Sequence, residues 1–401
     1  MLDSRGVGQR RFRVGIDMHV VHGIFQGSRT HCLELFSRVV AGLPEFDFLL
    51  LTGDPEQLLS FSGSFALPHV EILPMPEKAA PVRLLWQLPA YVRKQSLDLL
   101  HTQYIVPPFV SCPTAVTVHD ILFESHPQYF EKSLVIRSRL LVPFSIRRSS
   151  AVFTVSEFSQ RQICSQYSIP LSKVSMIPNG VDATRFYPGN DSLAEVTALG
   201  LDSGKYYLTV GRLEPRKNQA ALLKAWALLE HPRPRLVLVG QRHFGYKEVF
   251  ELIRSLGVEK DVMVLENVTD VQIPAVYRNA KGFLYCSWAE GFGMPLLEAM
   301  ASGIPVVSSN NTGLAEVCAD AAIVVDPENP KEIRNAILAF ENQSEFRQNL
   351  IRRGLLRARE YSWERSAQTV RRVYLDHFQV PSSNKIGERL QTSDGFSSSA
   401  K

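Results

Sequence analysis

Two glutamates eight positions apart, Glu290 and Glu298, lie in the segment Tyr285-Cys286-Ser287-Trp288-Ala289-Glu290-Gly291-Phe292-Gly293-Met294-Pro295-Leu296-Leu297-Glu298-Ala299-Met300. It reads as a strand end, a loop with two glycines and a helix whose first residue is Pro295. Such a turn leaves N–H groups unpaired at the helix N-terminus, on the carboxyl edge of a sheet, where phosphate is favoured. Gly291 and Gly293 would let a ligand approach the backbone, so Gly291, Phe292, Gly293, Met294 and Pro295 form the candidate binding turn. Glu290 in the loop and Glu298 in the first helical turn would face one cavity. Each carboxylate accepts two hydrogen bonds, which suits the vicinal hydroxyls of a sugar or ribose. Either glutamate alone would read as a dipole partner or a solvated loop residue; with the glycines and the proline, the pair reads as a site.

A second segment, Tyr206-Tyr207-Leu208-Thr209-Val210-Gly211-Arg212-Leu213-Glu214-Pro215-Arg216-Lys217-Asn218, ends a strand at Gly211 and opens a helix near Asn218. It delivers Arg212 and Lys217 to a strand tip, where they would clamp a pyrophosphate and stabilise charge growing on a diphosphate leaving group. The alternative is a basic surface loop, and Arg216 in particular fits that description. In the first half, Thr114-Ala115-Val116-Thr117-Val118-His119-Asp120 ends an apolar strand with a His-Asp pair on the ligand side of a sheet. Asp120 would orient the His119 imidazole or cap the next helix. Gly23-Ile24-Phe25-Gln26-Gly27-Ser28-Arg29-Thr30 follows the first strand and reads as a phosphate or substrate loop entering a helix, though it is not a full G-x-G-x-x-G.

The elements that must position these residues recur along the chain. Apolar runs fall at 14–17, 48–51, 70–73, 99–101, 115–118, 151–155 and 174–177, then at 206–210, 235–239, 262–265, 282–285, 305–307 and 322–325. Runs apolar throughout suit strands covered on both faces. Helical patterns lie between them, among them 30–40, 219–229, 246–256 and 330–341. The expected fold is α/β, with two Rossmann-like domains of comparable size. The expected boundaries are 11–187, 188–360, a helix at 361–378 and a disordered tail at 379–401, poor in large apolar side chains.

Composition excludes several classes. With 44 basic and 40 acidic residues the net charge is +4, too balanced for nucleic-acid binding read from bulk charge. The five cysteines, Cys32, Cys112, Cys164, Cys286 and Cys318, are scattered without a C-x-x-C pair, which argues against a disulfide framework or zinc site and for a reducing cytoplasm. Residues 1–13 do not resemble a signal peptide, and no apolar run is long enough to cross a bilayer. Arg137, Arg139, Arg147 and Arg148 flank the apolar stretch 134–146, which reads as a buried helix with solvated ends or as a helix lying on a membrane surface.

Together these segments resemble the retaining glycosyltransferases of family 4, which have the GT-B fold. The match runs over about residues 11–378: Glu290 and Glu298 as E-x7-E, Gly211 to Asn218, Ile177-Pro178-Asn179-Gly180-Val181-Asp182, and Gly303-Ile304-Pro305-Val306-Val307 followed by Gly313-Leu314-Ala315-Glu316-Val317. The resemblance implies that Arg212 and Lys217 hold the donor pyrophosphate, Glu290 the donor sugar and Glu298 the ribose. It places His119 near the anomeric centre, the Gly27-Ser28 loop against donor phosphate or acceptor, and helix 363–378 across the N-terminal domain. It further implies a nucleotide-sugar donor, a saccharide or lipid-linked saccharide acceptor, no cofactor or metal, retention of configuration without a protein nucleophile, and a cytoplasmic site, at the inner face of a membrane if the helix lies there. The stretch from His119 to Phe130 is similar to one in bacterial mannosyltransferases of polysaccharide assembly, which favours GDP-mannose. Many relatives read G-I-G-R-Y at the first loop, where this chain keeps Arg29 and lacks the tyrosine. A silent GT-B scaffold or a GT-B sugar epimerase is the alternative reading.

Overall fold

The computed structural model describes residues 10–21, 27–76, 78–189 and 191–380. Gly23 to Gln26 of the first loop, the residues before Arg10 and the tail after Val380 lie outside the described residues. Every apolar run identified in the sequence falls on a strand. The first sheet contains β1 (Arg13–Asp17), β2 (Asp47–Thr52), β3 (Val70–Pro74), β4 (Leu99–Gln103), β5 (Thr114–Thr117), β6 (Ala151–Thr154) and β7 (Val174–Met176). The second contains β8 (Tyr206–Val210), β9 (Arg235–Val239), β10 (Val262–Leu265), β11 (Gly282–Tyr285), β12 (Val306–Ser309) and β13 (Ile323–Val325). All pairings are parallel, and β4, β5, β6, β11 and β12 are buried along their whole length, covered on both faces, which is why their apolar residues run consecutively rather than alternate.

The strand orders are 3-2-1-4-5-6-7 and 10-9-8-11-12-13. Each sheet therefore reverses its winding once, between β1 and β4 and between β8 and β11. At such a switch point the loops on the carboxyl edge diverge and leave a crevice. The loops that carry the candidate site follow β5 in one sheet and β8 and β11 in the other, at or next to those crevices.

The helix Trp363–His377 buries Trp363, Ala367, Val370 and Tyr374, spaced four, three and four residues apart. This stripe joins the core of the first domain, with Phe36, Phe48 and Phe153, and packs on the helix Gly27–Ala41. The helix Ser344–Glu360, which the sequence reading did not single out, buries only Leu350, Gly354 and Ala358. Its apolar face is too narrow to announce itself, and Gly354 lets it sit against Met300.

The Tyr374 hydroxyl lies 2.6 Å from His101 Nδ1, whose Nε2 meets Thr117 Oγ1 at 2.8 Å, all three being buried. Removing one partner from a buried pair leaves a polar atom unsatisfied. Tyr374→Phe is therefore expected to lower unfolding stability by about 1–3 kcal/mol in urea denaturation.

Candidate active site

A cleft of about 870 Å³ opens between the carboxyl edges of the two sheets, and every candidate residue singled out from the sequence lines it. On the second domain, the loop after β8 passes under β9. A Cβ on Gly240 would lie 1.9 Å from the Gly211 carbonyl oxygen, so only glycine fits there. Asn218 adopts a left-handed conformation (φ +54°) ahead of the helix Gln219–Ala227, and its Nδ2 donates to the Cys286 carbonyl at 3.0 Å, tying the β8 loop to the β11 loop.

Glu290 sits where these loops meet. Its Oε1 accepts from Lys217 Nζ at 2.6 Å, and its Oε2 from Arg216 Nη1 at 2.8 Å. Arg216 also donates to Glu214 Oε1 at 2.7 Å, and Lys217 to the Tyr285 hydroxyl at 2.7 Å. Burial alone would raise the Glu290 pKa, but Arg216 and Lys217 outweigh it and hold the carboxyl down at about 2. Burial is likewise the main cause of the lowered Lys217 pKa, opposed by Glu290. Arg212 is more open, with Nε 3.7 Å from Glu214 Oε2.

Arg216 is not the surface residue that a basic loop would offer. It lies half-buried between two carboxylates, as central to the loop as Lys217. The sequence held a signal for it, because Glu214 two positions earlier supplies a partner for a cation turned inward.

The helix Met294–Ala301 starts after Gly293, whose φ of +103° favours glycine and which brings no side chain to cap the first amides. Pro295 is the second helical residue rather than the first. Glu298 accordingly stands at the start of the second turn, still facing the cleft. It is partly buried, and among the described residues no cation pairs with it as with Glu290. Burial pushes its pKa up to about 7, with Tyr277 drawing it down.

On the first domain, His119 Nε2 donates to Gln103 Oε1 at 2.9 Å. Gln103, at the end of β4, thus does the orienting considered for Asp120. Asp120 instead accepts from the Leu122 amide at 3.2 Å, just ahead of the turn Leu122–Ser125, whose N-cap position is Ile121. The His31 ring meets His119 edge-on at 4.6 Å, and its Nδ1 donates to Asn179 Oδ1 at 2.7 Å. Burial holds His119 well below the usual histidine range, with His31 and His101 adding to the effect; His31 is held down at about 4. His119 therefore faces the cleft as a neutral imidazole. Gln103, His31 and Asn179 escaped the sequence reading because nothing in the local pattern joins residues from four different elements.

Gly27 begins the helix Gly27–Ala41 close to Met294, where a Cβ would lie 3.0 Å from the methionine Cε. Arg29 bridges the domains through Asp270 Oδ2 at 3.1 Å. No group of three or more His, Cys, Asp or Glu side chains among the described residues is arranged to hold a metal ion. No helix among them is long and apolar enough to cross a membrane.

The raised pKa of Glu298 sets a pH dependence. The fold favours its protonated form, so its contribution to stability is full below the ordinary value of 4.5 and is lost as pH rises through about 7. Glu290 has the opposite sign: its contribution is present above 4.5 and is lost as pH falls toward about 2. Glu298→Gln is expected to remove a fall in thermal midpoint between pH 4.5 and 7 that the unsubstituted protein shows. Differential scanning calorimetry across that range measures it.

Comparison with known proteins agrees with this geometry. Residues 25–185 match the family model Glycosyltransferase Family 4, and residues 196–357 match Glycosyl transferases group 1. Over 260 residues the chain is 33% identical to O-antigen chain mannosyltransferase B of Escherichia coli, spanning 63% of this chain and 68% of that protein. Over 228 residues it is 28% identical to O-antigen chain mannosyltransferase RfbU of Salmonella typhimurium, spanning 56% of this chain and 60% of that one. The crystal structure of Anabaena HepE in complex with UDP and glucose matches with a TM-score of 0.72 at 20% identity, covering 91% of this chain and 100% of that one. WaaG, a glycosyltransferase involved in lipopolysaccharide biosynthesis, matches at 0.70 and 17% identity, over 89% and 98% of the two chains. These structural likenesses establish the two-domain fold, and with the matched models and the sequence relatives they lead to one assignment: the chain belongs to glycosyltransferase family 4, the retaining glycosyltransferases of the GT-B fold.

Proposed function

We propose that the protein transfers a hexose, with mannose from GDP-mannose as the preferred donor, to a saccharide or lipid-linked saccharide acceptor. The observation that carries this reading is the meeting of Arg212, Lys217 and an uncapped helix N-terminus with Glu290, Glu298 and His119 in one interdomain cleft. The cations and the helix amides would hold the donor diphosphate and take up the negative charge that grows on it as the glycosidic bond breaks. Lys217 would exchange part of its contact with Glu290 for the phosphate. Glu290 would face the sugar hydroxyls and Glu298 the ribose. His119, held neutral, would present a polar but uncharged wall near the anomeric carbon. The acceptor would enter from the first domain, past Gly27 and Ser28. The names of the two O-antigen mannosyltransferase relatives support mannose.

The helix Lys132–Arg148 supports a lipid-linked acceptor. Val135, Val142 and Ile146 face inward, while Ile136, Leu140 and Phe144, at four-residue intervals, are 63%, 69% and 39% exposed. Arg137, beside this row, lines the cleft. An apolar row beside a cation suits an anionic membrane surface.

Two measurements test these readings. In a thermal-shift series with GDP, UDP and ADP sugars, one nucleotide family should raise the midpoint, and Glu298→Ala should abolish the rise. No shift with any of them would favour a silent scaffold. Co-sedimentation with vesicles containing anionic lipid should be strong for the unsubstituted protein and lost when Ile136→Glu and Leu140→Glu are combined; equal sedimentation would remove the membrane from the proposal.

A further inference from the structure

From Cys286 to Glu290, five successive backbone carbonyls are each held by a donor of the second domain. Asn218 Nδ2, Ser309 Oγ, Asn311 Nδ2, Arg216 Nη1 and the Gly313 amide bind them in turn, at 2.7–3.0 Å. The sixth carbonyl, of Gly291, is held from the other side of the cleft. Ser156 Oγ donates to it at 2.6 Å and Ser159 Oγ at 3.3 Å, and both serines are buried.

The direction of the Ser156 bond is set by local structure. Ser156 is the N-cap of the helix Glu157–Tyr167, and its oxygen accepts from the Ser159 amide at 3.0 Å. With a lone pair so engaged, its proton is left to reach Gly291. The next free amides of the same helix end, Glu157 and Phe158, donate to the two carboxylate oxygens of Glu316 at 3.0 and 2.9 Å. Glu316 belongs to the second domain, on the helix Thr312–Cys318 that also supplies the Gly313 amide. The seam is close-packed: a Cβ on Gly291 would lie 2.7 Å from Asp120 Cβ, and one on Gly313 2.3 Å from the Gly291 carbonyl oxygen. The amino end of one helix of the first domain thus completes the hydrogen bonding of the loop that presents Glu290.

We propose that Ser156, supported by Ser159 and by the Glu316 contact, is a positioning residue that fixes the Glu290 loop when the two domains meet. The proposal rests on the reading that Glu290 acts on the donor sugar. Without the serine hydroxyl the loop keeps its five internal bonds but loses the one next to Glu290, so the carboxylate is held less firmly while the pyrophosphate clamp on β8 is unchanged.

The test compares Ser156→Ala, Ser156→Thr and Glu290→Gln in the full chain, each assayed well below its own thermal midpoint. Hydrogen–deuterium exchange of the peptide spanning 286–296 needs no donor. Loss of one hydrogen bond should speed exchange there about fivefold in Ser156→Ala, with the peptide spanning 206–218 unchanged and the threonine variant restored. With the nucleotide sugar selected by the thermal series, Ser156→Ala should lower kcat about tenfold or more while the donor KM stays within about twofold. A lower midpoint with unchanged loop exchange and unchanged kcat would mean that Ser156 only caps its helix, and would overturn the proposal. So would exchange that rises equally across the second domain. If Glu290→Gln keeps full kcat, the role of Glu290 itself fails, an outcome recognisable because the loop exchange in Ser156→Ala is measured independently.

Discussion

The buried Glu290 carboxylate is the constraint around which the second domain is arranged. A lone buried charge is costly, and removing one partner from a buried pair leaves the other uncompensated. Here Arg216 and Lys217 pair with Glu290, Arg216 also pairs with Glu214, and Arg212 lies at the edge of this cluster, all from the loops after β8 and β11. Those loops are neighbours because β8 and β11 pair directly, Gly282 with Tyr207 and Phe283 with Leu208. The switch point of the sheet thus brings the charges together, and the charges in turn fasten the loops. In the proposed function an incoming diphosphate would meet a cation already present, whose counter-charge is a side chain that can share it.

The first domain offers the opposite electrostatic character. His31, His101 and His119 lie close together, and burial keeps all three neutral. Their hydrogen bonds run to Asn179, Tyr374, Thr117 and Gln103, none of which is charged. The ionic cluster of the second domain therefore faces an uncharged polar patch around His119, with Asp120, Arg83 and Arg137 lining the same side of the cleft beyond it. This asymmetry suits a transfer in which charge develops on the nucleotide side while the sugar is held by hydrogen bonds.

Much of this was legible in the sequence because it is local. The strands are short apolar runs, and the candidate donor loops are contiguous segments whose glycines, proline and charges announce a strand-turn-helix end. What escaped depends on contacts across the fold. Arg216 fits a surface loop when read locally, because its partner Glu290 lies 74 positions away. Asp120 stays open in the sequence between orienting His119 and capping the next helix, because the residue that bonds the imidazole, Gln103, sits on a neighbouring strand. The helix Ser344–Glu360 covers its domain with three small or medium side chains, too few for a periodic signal. Ser156 is an N-cap by its local structure, and its second hydrogen bond exists only because another domain stands opposite.

The helix Trp363–His377 gives the chain an unusual order of assembly. The second domain is continuous in sequence, whereas the first takes its last core side chains from beyond it. The chain crosses between domains twice, and the crossings touch: the Val181 amide donates to the Tyr361 carbonyl at 3.3 Å, and Gly180 leaves no room for a Cβ beside the Trp363 nitrogen. During synthesis, domains generally complete themselves in the order in which they emerge. Here the first to emerge waits with a gap where Trp363 and Tyr374 belong, and the later one can finish before it.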